Sequence, residues 1–323
     1  MSRYVLRRLA LALVTLVAAL TGLLALLHAS PGSPVNALPP AVAADPGARA
    51  AFLADRGLDR PFVVQWARYL GHAARGDLGT SLYDGSSVAG AVAGSVSVSI
   101  ELGGLAALVA VVGGGAVGVA AARRPGGVVD GVVRVGSLLA ISTPSYWLAV
   151  LALVVVGERA PDLVPGARGL PTWSEDPLRH LQALLLPALV LGLGGFAMVA
   201  RSVRQTFGEV LDGPQVRFAR AAGLSEGQVL RRVALRGAAP ATITLVGLLV
   251  AGLVSGTVLI ENVFQLPGLG QLAVTAIGRD DYPLALGCAL ATAVLLLATN
   301  VAVDLAVLAF DPRARRRAVG GGR

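Results

Sequence analysis

Residues Val216–Pro240 read VRFARAAGLSEGQVLRRVALRGAAP, between the long apolar blocks Leu181–Ala200 and Ala241–Ile260. Arg217 and Arg220 mark the polar side of a short helix over Val216–Ala222. Gly223 fits the end of that helix, because a left-handed turn costs it no Cβ clash. Ser225-x-x-Gln228 has the spacing of a capping box, which predicts a second helix starting there. Val229, Leu230, Val233 and Ala234 form its apolar stripe, while Arg231, Arg232 and Arg236 face elsewhere. Gly237 loosens this helix, and Pro240 is expected to open the next one, where a missing N–H costs little. The stretch reads as a compact charged hairpin held between two membrane helices. That position is poor for catalysis and good for being gripped by a soluble partner. On these residues alone, an inside loop whose arginines merely anchor the membrane remains equally open.

The rest of the chain supplies the membrane. Of 323 residues, 55% are hydrophobic and 14% charged. The apolar residues gather in six blocks, each near the ~20 residues a bilayer core requires of a helix: Tyr4–Ala29, Val96–Ala122, Val132–Val156, Leu181–Ala200, Ala241–Ile260 and Leu284–Phe310. Backbone polar groups in hydrocarbon must be satisfied internally, so these blocks are helices. The expected fold is an all-α polytopic membrane protein with six transmembrane helices. Leu9–Leu27 is longer than the roughly 7–15 residues of a signal-peptide core, so residues 1–29 read as an uncleaved anchor. Residues 30–95 read as an external segment that leaves the membrane through Pro31, Pro34, Pro39 and Pro40. Within it Pro46–Arg56 reads as a helix that Gly57 stops. Pro61–Ala74 reads as an amphipathic helix with Phe62, Val63, Trp66, Tyr69 and Leu70 on one side, placed on the membrane surface or against the bundle's outer ends. Residues 96–310 form the core, with the loop 201–239 inside it, and 311–323 form a basic tail.

Charge sets the orientation. The net charge is +8, and all 27 basic side chains are arginine. The N-terminus, the second and fourth loops and the C-terminus, together with the helix ends beside them, carry 18 of them, against the five acids Asp130, Glu209, Asp212, Glu226 and Asp311. The positive-inside rule therefore puts both termini and the arginine-rich hairpin in the cytoplasm. No contiguous basic domain exists to bind nucleic acid.

Several chemistries are excluded. Without lysine there is no standard P-loop, so any ATP that drives this protein is hydrolysed by another chain. Gly113-x-Gly115-x-x-Gly118 follows no strand and has no acid about 20 residues on, so it reads as helix packing. The pairs Gly114/Gly118 and Gly252/Gly256 suit close helix contact. His28, His72 and His180 are dispersed, without metal-ligand spacing. Cys288 lies alone in the last span and reads as a small buried hydrophobe. Neither catalytic residues, a metal nor a cofactor is expected. Ionisable residues inside spans are functional candidates; here they are Glu101, Glu261 and Asp304, the last one turn from Asn300. An ion-coupled secondary transporter, the alternative reading, needs a clearer acidic or histidine relay at mid-membrane. A membrane-embedded enzyme needs a polar or metal-ligand cluster at one depth.

Ala219-Arg220-Ala221-Ala222-Gly223-Leu224-Ser225-Glu226 resembles the core of the EAA loop of type I ABC-import permeases, in the dipeptide/oligopeptide/nickel branch. Arg232-Val233-Ala234-Leu235-Arg236-Gly237-Ala238 resembles the segment that follows, with Val233 for a usual His and Gly237 for a usual Asn. Further pieces match in order along nearly the whole chain. They are Arg3–Leu9, Gly57-Leu58-Asp59-Arg60-Pro61, Gly76-Asp77-Leu78-Gly79 with Ser81, Thr143-Pro144-Ser145-Tyr146-Trp147, Glu261-Asn262-Val263-Phe264, Pro267-Gly268-Leu269-Gly270, Asp281-Tyr282-Pro283 and Asp311-Pro312-Arg313. The resemblance implies a MetI-like permease architecture in the cell (inner) membrane and no catalytic role. It implies ATPase coupling through Arg217, Ala219, Arg220, Ala221, Gly223, Leu224, Ser225 and Glu226. It places Glu261, Pro267, Gly268 and Gly270 at an external gate or loop. The implied partners are a second homologous permease subunit, two cytoplasmic ABC ATPase subunits and an extracytoplasmic binding protein. The implied cargo is a di- or oligopeptide, or a nickel chelate.

Overall fold

The computed structural model describes residues 2–29, 44–165 and 169–310. The proline-rich exit at 31–40 and the basic tail at 311–323 lie outside the described residues, as does the side chain of His28. In chain order the helices are α1 (Ser2–Ala29), α2 (Pro46–Asp55), α3 (Phe62–Ala73), α4 (Val88–Leu108), α5 (Gly114–Arg123), α6 (Val128–Ser142), α7 (Ser145–Arg159), α8 (Pro177–Leu211), α9 (Pro214–Ala221), α10 (Glu226–Gln228), α11 (Leu235–Phe264), α12 (Leu269–Gly278) and α13 (Tyr282–Phe310). Wider π turns, Val109–Gly113 and Val229–Ala234, join α4 to α5 and α10 to α11. Among the described residues the only β pairing is an isolated Thr80–Ser87 bridge.

Among the described residues, four helical runs are long and apolar enough to cross a membrane: Val88–Arg123, Pro177–Leu211, Glu226–Phe264 and Tyr282–Val307. The expected first span falls on α1, a helix of 28 residues. The expected third span, Val132–Val156, is not one straight helix. It is broken into α6 and α7, which meet at a bend of 99°. Pro144 causes the break. A proline disfavours helical geometry in the residue before it and brings no N–H of its own. Thr143 accordingly sits at φ −93°, ψ 123°. Its hydroxyl donates to the Leu139 carbonyl at 2.7 Å, capping the severed end.

The chain divides into two compact units. One comprises Ile100–Leu266 with Ala298–Arg323. Its axis is α8, against which α5, α6, α7 and α11 pack. Glycines set the approach. A Cβ on Gly114 would lie 2.6 Å from the Phe196 carbonyl oxygen, one on Gly118 2.7 Å from that of Ala200, and one on Gly192 2.8 Å from that of Ala106. Lipid tails are as apolar as leucine, so this close backbone packing replaces hydrophobic burial as the force between helices. Gly115 faces open space, and so does Gly252 of the expected Gly252/Gly256 pair. Two of the three glycines in the fingerprint-like string, Gly113 and Gly118, thus belong to a packing seam.

The other unit comprises Ser2–Ser99 with Pro267–Leu297. The amphipathic α3 packs on α1, where the Trp66 indole N–H donates to the Thr21 hydroxyl at 2.7 Å. Val88, Val92, Leu269 and Cys288 form its core. Asp281, buried, accepts from the Ser81 hydroxyl and from the Leu82 N–H at 3.2 Å. α12 lies in a loop from which only a turn was expected.

Candidate functional site: the arginine-rich hairpin

Leu211 ends α8, and Gly213 and Pro214 start α9 at once, proline being suited to a first helical turn. The end of α9 is a Schellman motif. Gly223 N–H donates to the Arg220 carbonyl at 3.0 Å, and Leu224 N–H to that of Ala219 at 3.1 Å. This geometry needs a left-handed residue, and Gly223 stands at φ +81°. Two residues on, the capping box is complete: Ser225 and Gln228 each cap the other's backbone N–H. The two arms close on a small core of Val216, Ala219 and Val229, with Leu224, Val233 and Val210 at its margin. One expectation changes. Pro240 does not open a new helix but lies inside α11, which runs unbroken to Phe264. The hairpin's second arm and the following span are therefore one rod of 39 residues, Glu226–Phe264. A Cβ on Gly237 would fall 2.9 Å from Val210 Cγ1, so this glycine lets the rod lie against the end of α8.

The hairpin's outer face carries a groove of about 720 Å³ lined by Pro214, Phe218, Ala222, Leu224, Arg232 and Arg236 among others. Phe218 is 76% exposed, an unusual position for a large aromatic side chain. On the tip, the Arg220 guanidinium donates to both Glu226 oxygens, at 2.7 and 3.2 Å. An exposed aromatic ring with arginines at the rim is the composition that dominates binding energy at protein interfaces.

Of the eight residues expected to couple, Arg217, Arg220, Ala221, Gly223, Ser225 and Glu226 are on the surface. Ala219 is buried and Leu224 half-buried; both pack in the hairpin's small core and both also line the groove. Glu261 is wholly buried in α11. Gly268 caps the N-terminus of α12, Gly270 is buried just behind it, and Pro267 is exposed.

Two charged clusters escaped sequence reading. Asp130, only 2% exposed in the first turn of α6, pairs with Arg204 of α8. Glu101 Oε2 lies 2.6 Å from His180 Nε2, and Glu101 Oε1 accepts from the Trp173 indole N–H at 3.0 Å. His180 Nδ1 faces the Pro171 carbonyl at 2.7 Å. A carbonyl only accepts, so Nδ1 carries a proton. Both clusters join residues more than 70 apart in sequence, and no local spacing announces them. Among the described residues, no group of three His, Cys, Asp or Glu is placed to hold a metal ion.

Residues 114–316 match the model of a family described as the inner membrane component of binding-protein-dependent transport systems. The chain is 34% identical over 317 residues to the dipeptide transport system permease protein DppB of Lactococcus lactis subsp. cremoris, covering 98% of this chain and 100% of that protein. It is 31% identical over 338 residues to the protein of the same name in Escherichia coli K12, again covering 98% and 100%. A Brucella suis biovar 1 protein provisionally named a peptide permease is 36% identical over 318 residues, 97% of this chain and 99% of that protein. The chain is a multi-pass, non-catalytic membrane permease subunit, and it belongs to the family of inner membrane components of binding-protein-dependent ABC transport systems.

Proposed function

We propose that the chain imports di- or oligopeptides, with nickel chelates as the other cargo of this branch. A second homologous permease subunit encloses the path with it. Two cytoplasmic ABC ATPase subunits drive the path, and an external binding protein loads it. Both termini and the hairpin face the cytoplasm, as the arginine distribution favours. One ATPase subunit holds the hairpin by Phe218 and the arginines of the groove rim. Closure of the ATPase pair on ATP draws the two permease hairpins together. Each push passes along the Glu226–Phe264 rod, and the path opens outward to receive cargo. Hydrolysis resets it inward, as alternation between two packed states requires.

The observation that carries this reading is the continuity of hairpin and span. A push delivered at Glu226 meets continuous helix, through one π turn at Val229–Ala234, as far as Phe264. The test is Gly223→Pro combined with Arg220→Glu. Insertion is expected to be normal, while co-purification of the ATPase and uptake of a labelled dipeptide are lost. Retained ATPase binding with retained uptake removes the hairpin from its assigned role.

A further inference from the structure

The hairpin has two stems, and the proposal above uses only the one that leads into α11. The other is α8, whose last residue is three positions before the first of α9. Two turns up that stem stands Arg204, and its partner Asp130 is held in unusual detail. Arg204 Nε donates to Asp130 Oδ1. The Gly126 N–H donates to Oδ2 at 2.9 Å. Arg134, one turn along α6, lies 4.0 Å away. Gly126 stands at φ +76°, a left-handed turn that folds the 124–127 loop back over the carboxylate. At the hairpin tip the Glu226 carboxyl is held below its ordinary range, chiefly by the Arg220 guanidinium and to a lesser degree by Arg123 at the end of α5. Beside the Asp130–Arg204 pair α5 lies in backbone contact with α8, with Gly118 opposite Ala200 and Val203.

We propose that the Asp130–Arg204 pair is a second coupling connection, tying α6, and through it the bent α6–α7 pair, to the movement of the hairpin stem. The inference rests on the hairpin being the driven element. Its physical basis is the character of an ion pair whose carboxylate is buried, with Asp130 2% exposed and the Arg204 side chain 29% exposed. Such a pair adds little net stability over well-packed apolar residues, because desolvation offsets the Coulomb attraction. It does fix orientation and register, since any sliding of α8 along α6 strands a buried charge. Apolar contacts between the same helices would tolerate that slide. Asp130 and Arg204 are thus positioning residues. They decide which helices travel with α8.

The experiment uses the whole importer reconstituted in proteoliposomes with its partner subunits and binding protein, with a radiolabelled dipeptide as probe. For Asp130→Asn we expect the ATPase subunits to stay bound and to hydrolyse ATP within about twofold of the native rate, while uptake falls at least tenfold. Arg204→Lys, which keeps the charge but not the guanidinium geometry, should restore most of the uptake relative to Arg204→Gln. Asp130→Leu with Arg204→Leu removes both charges and leaves no buried charge unpaired, so it separates a positioning role from a structural one. This double variant should assemble and still transport poorly. Native uptake in either Asp130→Asn or the double variant, with the complex intact, overturns the inference and leaves the hairpin reading standing. If the hairpin variants of the preceding section keep their ATPase and their uptake, that reading fails first and this one with it.

Discussion

At the scale of single residues, the hairpin's caps are built from hydrogen bonds that reach no more than five positions along the chain. Its caps were therefore legible in the sequence. Gly223 at φ +81° has no neighbour within 4 Å of a built Cβ, so a larger residue there suffers only from its backbone. For an L-residue that penalty is about 1–2 kcal/mol. Gly223→Ala should leave the protein inserted and loosen the loop, seen as faster proteolysis between residues 220 and 226. Ser225→Ala removes one half of the capping box, at a cost of about 1 kcal/mol. Amide exchange at Gln228 should then quicken about fivefold, at ~1.4 kcal/mol per tenfold; unchanged exchange there would remove the box from the account. The Arg220–Glu226 pair is different. Its side chains are half-exposed, and pairs of that kind contribute about 0–1 kcal/mol. Arg220→Gln should hardly move thermal stability, so any loss of ATPase binding in that variant reports docking rather than folding. By contrast, Ser81 and Asp281 stood out only as parts of separate family-like segments, and nothing along the chain announced that they meet across 200 residues.

At the scale of elements, apolar length was enough to find every long helix but not to say which were straight. Thr143-Pro144 was in view as a family mark, yet a proline in an apolar run can kink a helix or end it. α8 carries Pro187 and α11 carries Pro240 without a break, whereas Pro144 divides α6 from α7. Tertiary packing decides among these outcomes, and α8 packs along both halves of the broken run. α12 escaped notice because its ten residues are short for a span and follow a turn signal. The glycine seam gives a sharp prediction at this scale. Gly118→Leu drives a side chain into Ala200 and Val203 and should abolish stable protein in the membrane, because a packed interior cannot take up that volume. Gly115→Leu, three residues away on the same helix with nothing within 4 Å, should be tolerated with near-native yield. Equal yields from the two variants would contradict the packing assigned to α5 and α8.

For the whole molecule, composition alone was enough to place the chain in a membrane, and the order of the short motifs was enough to place it among permeases. The path for cargo was not legible, because a path enclosed by two subunits and fed by a third, as proposed above, would leave no pattern in one chain. Orientation and partnership therefore carry the most weight, and one labelling experiment addresses both. The single cysteine, Cys288, is buried and can be replaced by alanine. Phe218→Cys in that background puts one thiol in the groove of the hairpin. An impermeant maleimide should fail to reach it in intact cells. It should modify the thiol in inside-out vesicles stripped of ATPase subunits, and it should be blocked once those subunits are bound. Modification from outside the cell, or modification that the ATPase subunits leave unchanged, would contradict the account.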